Sequence, residues 1–115
     1  MTQSTALFLS IACEAVVAWL AVAAWHWGNP WRAALAATVG TCVTHWAAWS
    51  ATIWLMDLID YAALALAVEA TVVLVESLAY RWIALLSWNR ALLTSLIANA
   101  ASTGLGLGLQ ILGIV

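Results

Sequence analysis

Ionisable or hydrogen-bonding side chains interrupt four apolar stretches of this sequence at similar depths. Each stretch contains one: Glu14, His45, Glu69 and Asn99. Counted from the first and third turns at about 1.5 Å per residue, the first three fall at one level and Asn99 about one helical turn closer to those turns. Three smaller polar residues accompany them: Thr41, Thr44 and Ser102. Since an ionisable group in hydrocarbon is costly unless it faces a protein interior, the pattern predicts a polar layer built by all four stretches.

The carboxyls of Glu14 and Glu69 have two interpretations in such a layer. In the first, both are protonated and hydrogen-bonded, and they fix the register between helices. In the second, they release and bind protons or hold a substrate, which would make the chain a small proton-coupled transporter. Replacing both with glutamine separates these interpretations, because a neutral isostere is tolerated only where the proton never has to leave.

His45 is the residue best suited to hold a cofactor. Its imidazole suits one axial position of a haem, and a second His45 from a symmetric partner would supply the other. A chlorophyll-type pigment needs a single histidine. Cys42 lies one helical turn from His45 and zinc accepts both donors, but the chain has only two cysteines and we predict no metal site. The identity of any cofactor stays open.

A second polar layer is predicted nearer the first and third turns. Glu76 follows Glu69 by seven residues and therefore shares its helix face. Four cationic or titratable residues lie within reach of that level: His26, Arg32, Arg81 and Arg90. We expect Glu76 to form an ion pair with one of them.

Composition identifies the lipid bilayer as the solvent. Hydrophobic residues make up 67% of the 115 residues and charged residues 7%, whereas soluble domains carry about 25% charged residues. The mean hydropathy is +1.05. A net charge of −2 with three basic residues excludes a nucleic-acid-binding face.

Four stretches are long enough to cross a bilayer as helices, which takes about 20 residues. They cover residues 6–27, 31–56, 61–83 and 88–113 approximately. Gly28-Asn29-Pro30 and the acidic segment 57–60 separate the first three, and Ser87 is a candidate cap for the last. The prediction is an all-α, polytopic integral membrane protein with four transmembrane helices in a single domain, residues 1–115.

Charge asymmetry predicts the orientation. All three arginines lie at the first and third turns, and the middle turn carries only acids. The positive-inside rule therefore places the arginines in the cytoplasm and both termini in the periplasm, in a bacterial inner membrane of the cytoplasmic or photosynthetic kind. Five of the nine tryptophans form an interfacial belt at the arginine level: Trp25, Trp27, Trp31, Trp82 and Trp88.

The two halves of the chain resemble each other. Residues 13–17 match residues 68–72 at an offset of 55, and residues 32–35 match residues 90–93 at an offset of 58. The change in offset predicts a longer third turn. Each unit contains two spans, so the two helical hairpins would be parallel and related by an axis along the membrane normal.

Small residues recur every fourth position in the last stretch, at Ala100, Gly104 and Gly108. This spacing predicts close helix contact, either within the bundle or with a partner chain. The sequence contains no nucleophile triad, phosphate loop or dinucleotide fingerprint, so we expect no enzymatic activity.

The stretch from Glu69 to Leu107 resembles a set of small bacterial four-helix membrane proteins with no assigned activity. The matching segments are residues 68–70, 75–81 and 98–102, together with Thr44 and His45. The resemblance implies the four-helix fold and implies no particular chemistry.

A second resemblance is to the small multidrug resistance exporters, which have a similar length, four helices and a membrane-embedded glutamate at the place of Glu14. It implies that Glu14 is the proton- and cation-binding carboxylate of a dimeric exporter. The sequence departs from that family because its third helix contains no glycine and carries the additional acids Glu69 and Glu76. The one-sided arginines also argue against dual topology.

The favoured expectation is a non-catalytic membrane subunit packed into a larger bioenergetic, photosynthetic or envelope complex. Short loops, the small-residue spacing and the incomplete chemical motifs support it. Its partners would be the lipid bilayer and other membrane subunits or a second copy. The alternatives are the proton-coupled transporter built on Glu14 and Glu69, and a haem- or pigment-binding protein built on His45.

Overall fold

The protein is a bundle of four α-helices. The computed structural model describes residues 2–114, and the helices are α1 (Gln3–Ala24), α2 (Pro30–Leu55), α3 (Tyr61–Trp82) and α4 (Trp88–Ile111). Each helix packs mainly on two neighbours, with α4 closing the ring against α1. The predicted all-α, four-helix class is therefore confirmed.

Every helix begins at a side chain that caps its first turn. The capping residues are Thr2, Asn29, Asp60 and Ser87, all of types that accept a hydrogen bond from free backbone N–H groups. The predicted bounds of α2, α3 and α4 agree within two residues, whereas α1 begins and ends three residues earlier than predicted. Thr2 starts α1 early, and the left-handed backbone of His26, with φ 54°, lies just beyond its end.

Three of the four helices are long and apolar enough to cross a membrane. These are α1, α3 and α4, with mean hydropathies of 2.2, 1.9 and 1.4 over their most apolar windows. The longest helix, α2 with 26 residues, is not among them. Its apolar residues are interspersed with hydroxyl and imidazole side chains: Thr38, Thr41, Thr44, His45, Ser50 and Thr52.

The hydrophobic core occupies one end of the bundle, where segments 25–29 and 83–87 connect the helices; we call this the closed end. Its buried residues are Ala18, Val22, Ala33, Ala36, Ala37, Tyr80, Ala84, Leu86 and Ala91. Alanine dominates, which lets helix backbones approach closely. The opposite end, with segment 56–60 and both termini, is called the open end.

Gly40 allows α2 and α3 to approach closely in the middle of the bundle. A Cβ atom at this position would lie 3.1 Å from Cγ of Glu76 and 3.6 Å from Cβ of Ala79. Any larger side chain would displace Glu76, so this glycine gives the Glu76 carboxyl its place in the interior.

Three of the four helix boundaries in each half of the chain repeat at the same spacing. The two halves begin their first helices at residues 3 and 61, end them at 24 and 82, and begin their second helices at 30 and 88, always 58 residues apart. The prediction of a longer third turn was therefore wrong, since the connections 25–29 and 83–87 have equal length. In this register Glu14 corresponds to Val72, not Glu69, and Thr41 corresponds to Asn99.

Arginines connect the two segments of the closed end. Arg32 Nε donates a 2.7 Å hydrogen bond to the backbone carbonyl of Ile83. The Arg90 guanidinium lies 5.7 Å from the centre of the Trp27 ring, within the range of a cation–π contact. The arginine side chains therefore stabilise the level where the predicted tryptophan belt lies.

Candidate functional site

Six buried polar side chains, contributed by all four helices, lie together near the middle of the bundle. This polar cluster consists of Glu14, Thr41, Thr44, Glu76, Ser95 and Asn99, none of which is more than 8% exposed. Buried polar groups of this kind are tolerated only where they find hydrogen-bond partners. Most of the donors and acceptors of the cluster satisfy this need, and Glu14 Oε1 is the exception among them.

The hydroxyl and amide groups of the polar cluster are directed at its two carboxyls. Thr41 Oγ1 donates to Glu14 Oε2 at 2.9 Å. Thr44 Oγ1 donates to Glu76 Oε2 at 2.7 Å, and Asn99 Nδ2 donates to Glu76 Oε1 at 3.3 Å. Each carboxyl therefore interacts with a different helix from its own.

Glu14 of α1 and Glu76 of α3 both lie in this polar cluster and both line the same interior space. Two carboxylates buried close together repel each other, so a pair of this kind favours a state in which at least one carboxyl is protonated. Both Glu76 oxygens already accept hydrogen bonds, whereas Glu14 Oε1 has no donor among residues 2–114. Glu14 Oε1 is consequently the oxygen placed to carry such a proton.

A cavity of about 450 Å³ extends from the polar cluster toward the open end; we call it the central cavity. Its inner part is lined by Glu14, Glu76 and Asn99, and its outer part by Ala6, Met56 and Gln110. All four helices contribute to its wall. The central cavity is thus a route between the polar cluster and the open end.

The charged residues around the central cavity are all acidic. Glu14, Glu69 and Glu76 line it, and no arginine does. The three arginines lie in or beside the connections of the closed end, and the sequence contains no other basic residue besides histidine. This separation of charge makes the central cavity favourable for positively charged groups.

The structure brings together some residues of the predicted polar layer and separates others. Glu14, Asn99, Thr41 and Thr44 belong to the polar cluster. Glu69, His45 and Ser102 line the central cavity farther out. Ser102 Oγ donates to Ser10 Oγ at 3.3 Å, and the Glu69 carboxyl lies beside Thr103.

Glu76 occupies the place that the sequence analysis assigned to Glu69. The predicted ion pair of Glu76 with His26, Arg32, Arg81 or Arg90 is replaced by the hydrogen bonds from Thr44 and Asn99. Arg81, one of the proposed partners, lies 5.5 Å from the centre of the Trp88 ring. The cations are directed at ring faces and a backbone carbonyl of the closed end, where a buried carboxylate cannot reach them.

His45 makes a contact that competes with ligation of a cofactor. Its Nε2 lies 3.3 Å from the backbone carbonyl oxygen of Gln3, and its ring is 5.9 Å from the ring of Trp49. A haem or pigment would have to use Nδ1 or displace the Gln3 carbonyl. Binding of a cofactor at His45 therefore stays a prediction.

Metal-binding side chains are dispersed. Among residues 2–114, no group of three or more histidine, cysteine, aspartate or glutamate side chains could hold a metal ion. Cys13 is half-buried and Cys42 is exposed, and both are free thiols.

The small residues of α4 face away from the bundle. Ala100 and Gly104 are exposed, and a Cβ atom added at Gly104 or Gly108 would meet no other atom within 4 Å. We call Ala100, Gly104 and Gly108 the small-residue stripe. The prediction that this stripe makes close contact within the bundle was wrong, because α4 packs on its neighbours through the face that carries Ser95 and Asn99. Contact with a partner chain stays a prediction.

Two features of the site escaped the sequence analysis although the sequence contains signals for both. The spacing between Glu69 and Glu76 placed them on one face, but did not show which of them reaches the centre. Gly40 lies one turn before Thr44, and its absent side chain leaves room for Glu76. Tyr80 also lies fully buried beneath the carboxyls, with a hydroxyl that has no partner among the described residues.

No family model, curated protein or solved structure matches the chain.

Replacing Thr44 with valine should destabilise the protein by about 1–3 kcal/mol, because it removes a buried donor to Glu76. The measurement is the free energy of unfolding in detergent. Thr38→Val is the matched control on the same helix, since Thr38 donates only to the Ala34 carbonyl of its own helix at 2.9 Å. Equal effects of the two substitutions would contradict the role given to the Thr44–Glu76 hydrogen bond.

Proposed function

We propose that this chain is an integral membrane protein that carries a positively charged solute in exchange for protons. The central cavity is the solute site, and the Glu14–Glu76 carboxyl pair is the proton site. This is the transporter alternative of the sequence analysis, with Glu76 in place of Glu69 as the second essential carboxyl.

One observation supports this proposal above the others: the central cavity ends on two buried carboxyls from different helices, Glu14 and Glu76. A pair whose only role was to lock helices together could be sealed by side chains. Here Glu14, Glu69 and Glu76 all line space that a solute can fill. The volume of about 450 Å³ falls within the range of small-molecule sites, roughly 300–1,000 Å³.

The exchange follows from charge. While the proton stays on the pair, one negative charge of the pair is cancelled, and the attraction for a cation is weak. When the proton leaves, two carboxylates face each other in a medium of low dielectric, and a cation between them relieves their repulsion. Proton and cation therefore compete for one place, and binding of either favours release of the other.

The orientation proposed from the arginines gives the exchange a direction. With the arginines in the cytoplasm, the closed end faces the cytoplasm and the central cavity opens to the periplasm of a bacterial inner membrane. All four helices would span the membrane, and α2 would do so because its polar side chains face the cavity and its neighbours. The equal spacing of the two parallel hairpins offers a route to closing one end while the other opens.

The Glu14→Gln variant should lose proton exchange. We expect cation-driven proton flux to fall at least tenfold in proteoliposomes that contain a pH-sensitive dye, with guanidinium, choline and tetraethylammonium as the cations tested. The neutral amide keeps the shape and the Thr41 hydrogen bond but has no proton to release. Glu76→Gln should behave in the same way.

Asp57→Asn is the matched control for this assay, because Asp57 lies exposed in the segment between α2 and α3. It should leave the flux at the wild-type level. A Glu14→Gln protein that folds normally and retains full proton flux with the active cation would contradict the proposal.

A second candidate function keeps the favoured expectation of a membrane subunit. It is supported by the small-residue stripe of α4, where the bundle itself places no atom within 4 Å of a Cβ at Gly104 or Gly108. Small residues on an outward helix face permit close approach of another transmembrane helix. In this role the stripe would dock a second copy or a different membrane subunit.

Enlarging the stripe should disrupt such an association. We expect Gly104→Leu to shift the protein on a native gel from a larger assembly to the size of the single chain, after gentle extraction from its own membrane. Leu107→Phe is a control on an exposed position of the same helix. Migration of the wild-type protein as a single chain would contradict the subunit function, and the transporter function would then be the remaining proposal.

A further inference from the structure

A second hollow lies on the outside of the bundle between α2 and α3. It has a volume of about 500 Å³, and we call it the lateral groove. Its lining consists of valine, alanine, leucine and isoleucine with two threonines, Thr44 and Thr71. Both hydroxyls are already used, by Glu76 and by the Ala67 carbonyl respectively. The lateral groove therefore presents a mainly apolar surface.

The lateral groove and the central cavity are adjacent. Four residues line both: Thr44, Ala48, Val68 and Val72. An apolar hollow on the bundle surface thus borders an acidic hollow in its centre, and the two share small or β-branched lining residues. The two helices meet at Gly40 and Glu76 and separate toward the open end.

We propose that the transported solute is a single-chain amphiphile, with a primary ammonium head in the central cavity and its hydrocarbon chain in the lateral groove. This inference rests on the proposed function and specifies its substrate class. The chain would enter sideways from the bilayer, between α2 and α3.

The head group is specified by the polar cluster. Glu14 Oε1 accepts no hydrogen bond from residues 2–114, so an N–H group can take the place of the proton held between Glu14 and Glu76. A primary ammonium brings a positive charge and three N–H donors. A trimethylammonium head has the same charge but no N–H donor, and an anionic head would meet three carboxyls.

The hydrocarbon chain is specified by the length and composition of the lateral groove. Its α2 side runs from Val43 to Leu55, which is roughly 18 Å at 1.5 Å per residue. This matches the tail of a lipid-like molecule, which fills one leaflet of about 15 Å, half of a 30 Å hydrocarbon core. In the proposed orientation the groove lies against lipid, so the chain stays in an apolar environment while the head reaches the carboxyls.

The test is binding of dodecylamine, as its ammonium ion at pH 7, to the purified protein in lipid nanodiscs, followed by native mass spectrometry. We expect one bound molecule per chain, with at least tenfold weaker binding of propylamine, which lacks the tail. We also expect at least tenfold weaker binding of dodecyltrimethylammonium, which lacks the donors. Empty nanodiscs correct for partition into lipid.

Two phenylalanine variants locate the hydrocarbon chain. Ala67 lines the lateral groove, and Ala70 lies one turn away on an exposed part of the same helix outside it. Ala67→Phe fills the groove and should weaken dodecylamine binding at least tenfold, whereas Ala70→Phe should bind as the wild type does. Equal binding by the two variants, or equal binding of propylamine and dodecylamine, would overturn the inference.

The two proposals fail in different ways. If Ala67→Phe binds dodecylamine normally while the proton flux of small cations still depends on Glu14, the groove assignment is wrong and the proposed function stands. If the flux is independent of Glu14, the proposed function fails and the amphiphile inference fails with it.

Discussion

The structure depends on how two carboxyls are accommodated in the middle of an apolar bundle. Glu14 and Glu76 are each 2% exposed, and burial of an unpaired charge would cost several kcal/mol. Hydrogen bonds from Thr41, Thr44 and Asn99 reduce this cost, and in the proposed function a proton shared by the carboxyls removes the repulsion that would remain. All four helices contribute to the resulting polar cluster, so the same contacts that hold the carboxyls also fix the register of the helices.

The rest of the bundle differs between its two ends for a packing reason. Alanines at the closed end bring the helices together around Tyr80 and Leu86, and Gly40 does the same for α2 and α3 beside Glu76. Toward the open end the side chains do not fill the space between the helices, which leaves the central cavity. The carboxyl pair lies at the boundary between the packed half and the hollow half, so a solute can reach it only through the central cavity. The proposed proton-coupled carrier needs such one-sided access in each of its states.

Much of the fold could be predicted from the sequence, because hydropathy, turn residues and caps are local signals. The first residues of α2, α3 and α4 could be predicted from Asn29, Asp60 and Ser87, which precede them. The composition of the polar cluster was harder, since depth along a helix does not show which face points inward. Glu69 and Glu76 share a face, and only the approach of α2 at Gly40 selects Glu76. Matching short motifs also gave an offset of 55 for the first helices, whereas the bounds of those two helices repeat at 58.

The most direct test of this account is the infrared spectrum of the purified protein in the region of protonated carboxyl groups, recorded for the wild type, Glu14→Gln and Glu69→Gln at neutral pH. If Glu14 and Glu76 share a proton, the wild type shows a protonated-carboxyl band that survives in Glu69→Gln. The band shifts or weakens in Glu14→Gln, because the proton is then no longer shared between two carboxyls. A wild-type spectrum without the band, or a band unchanged by Glu14→Gln, would contradict the shared proton and the exchange function built on it.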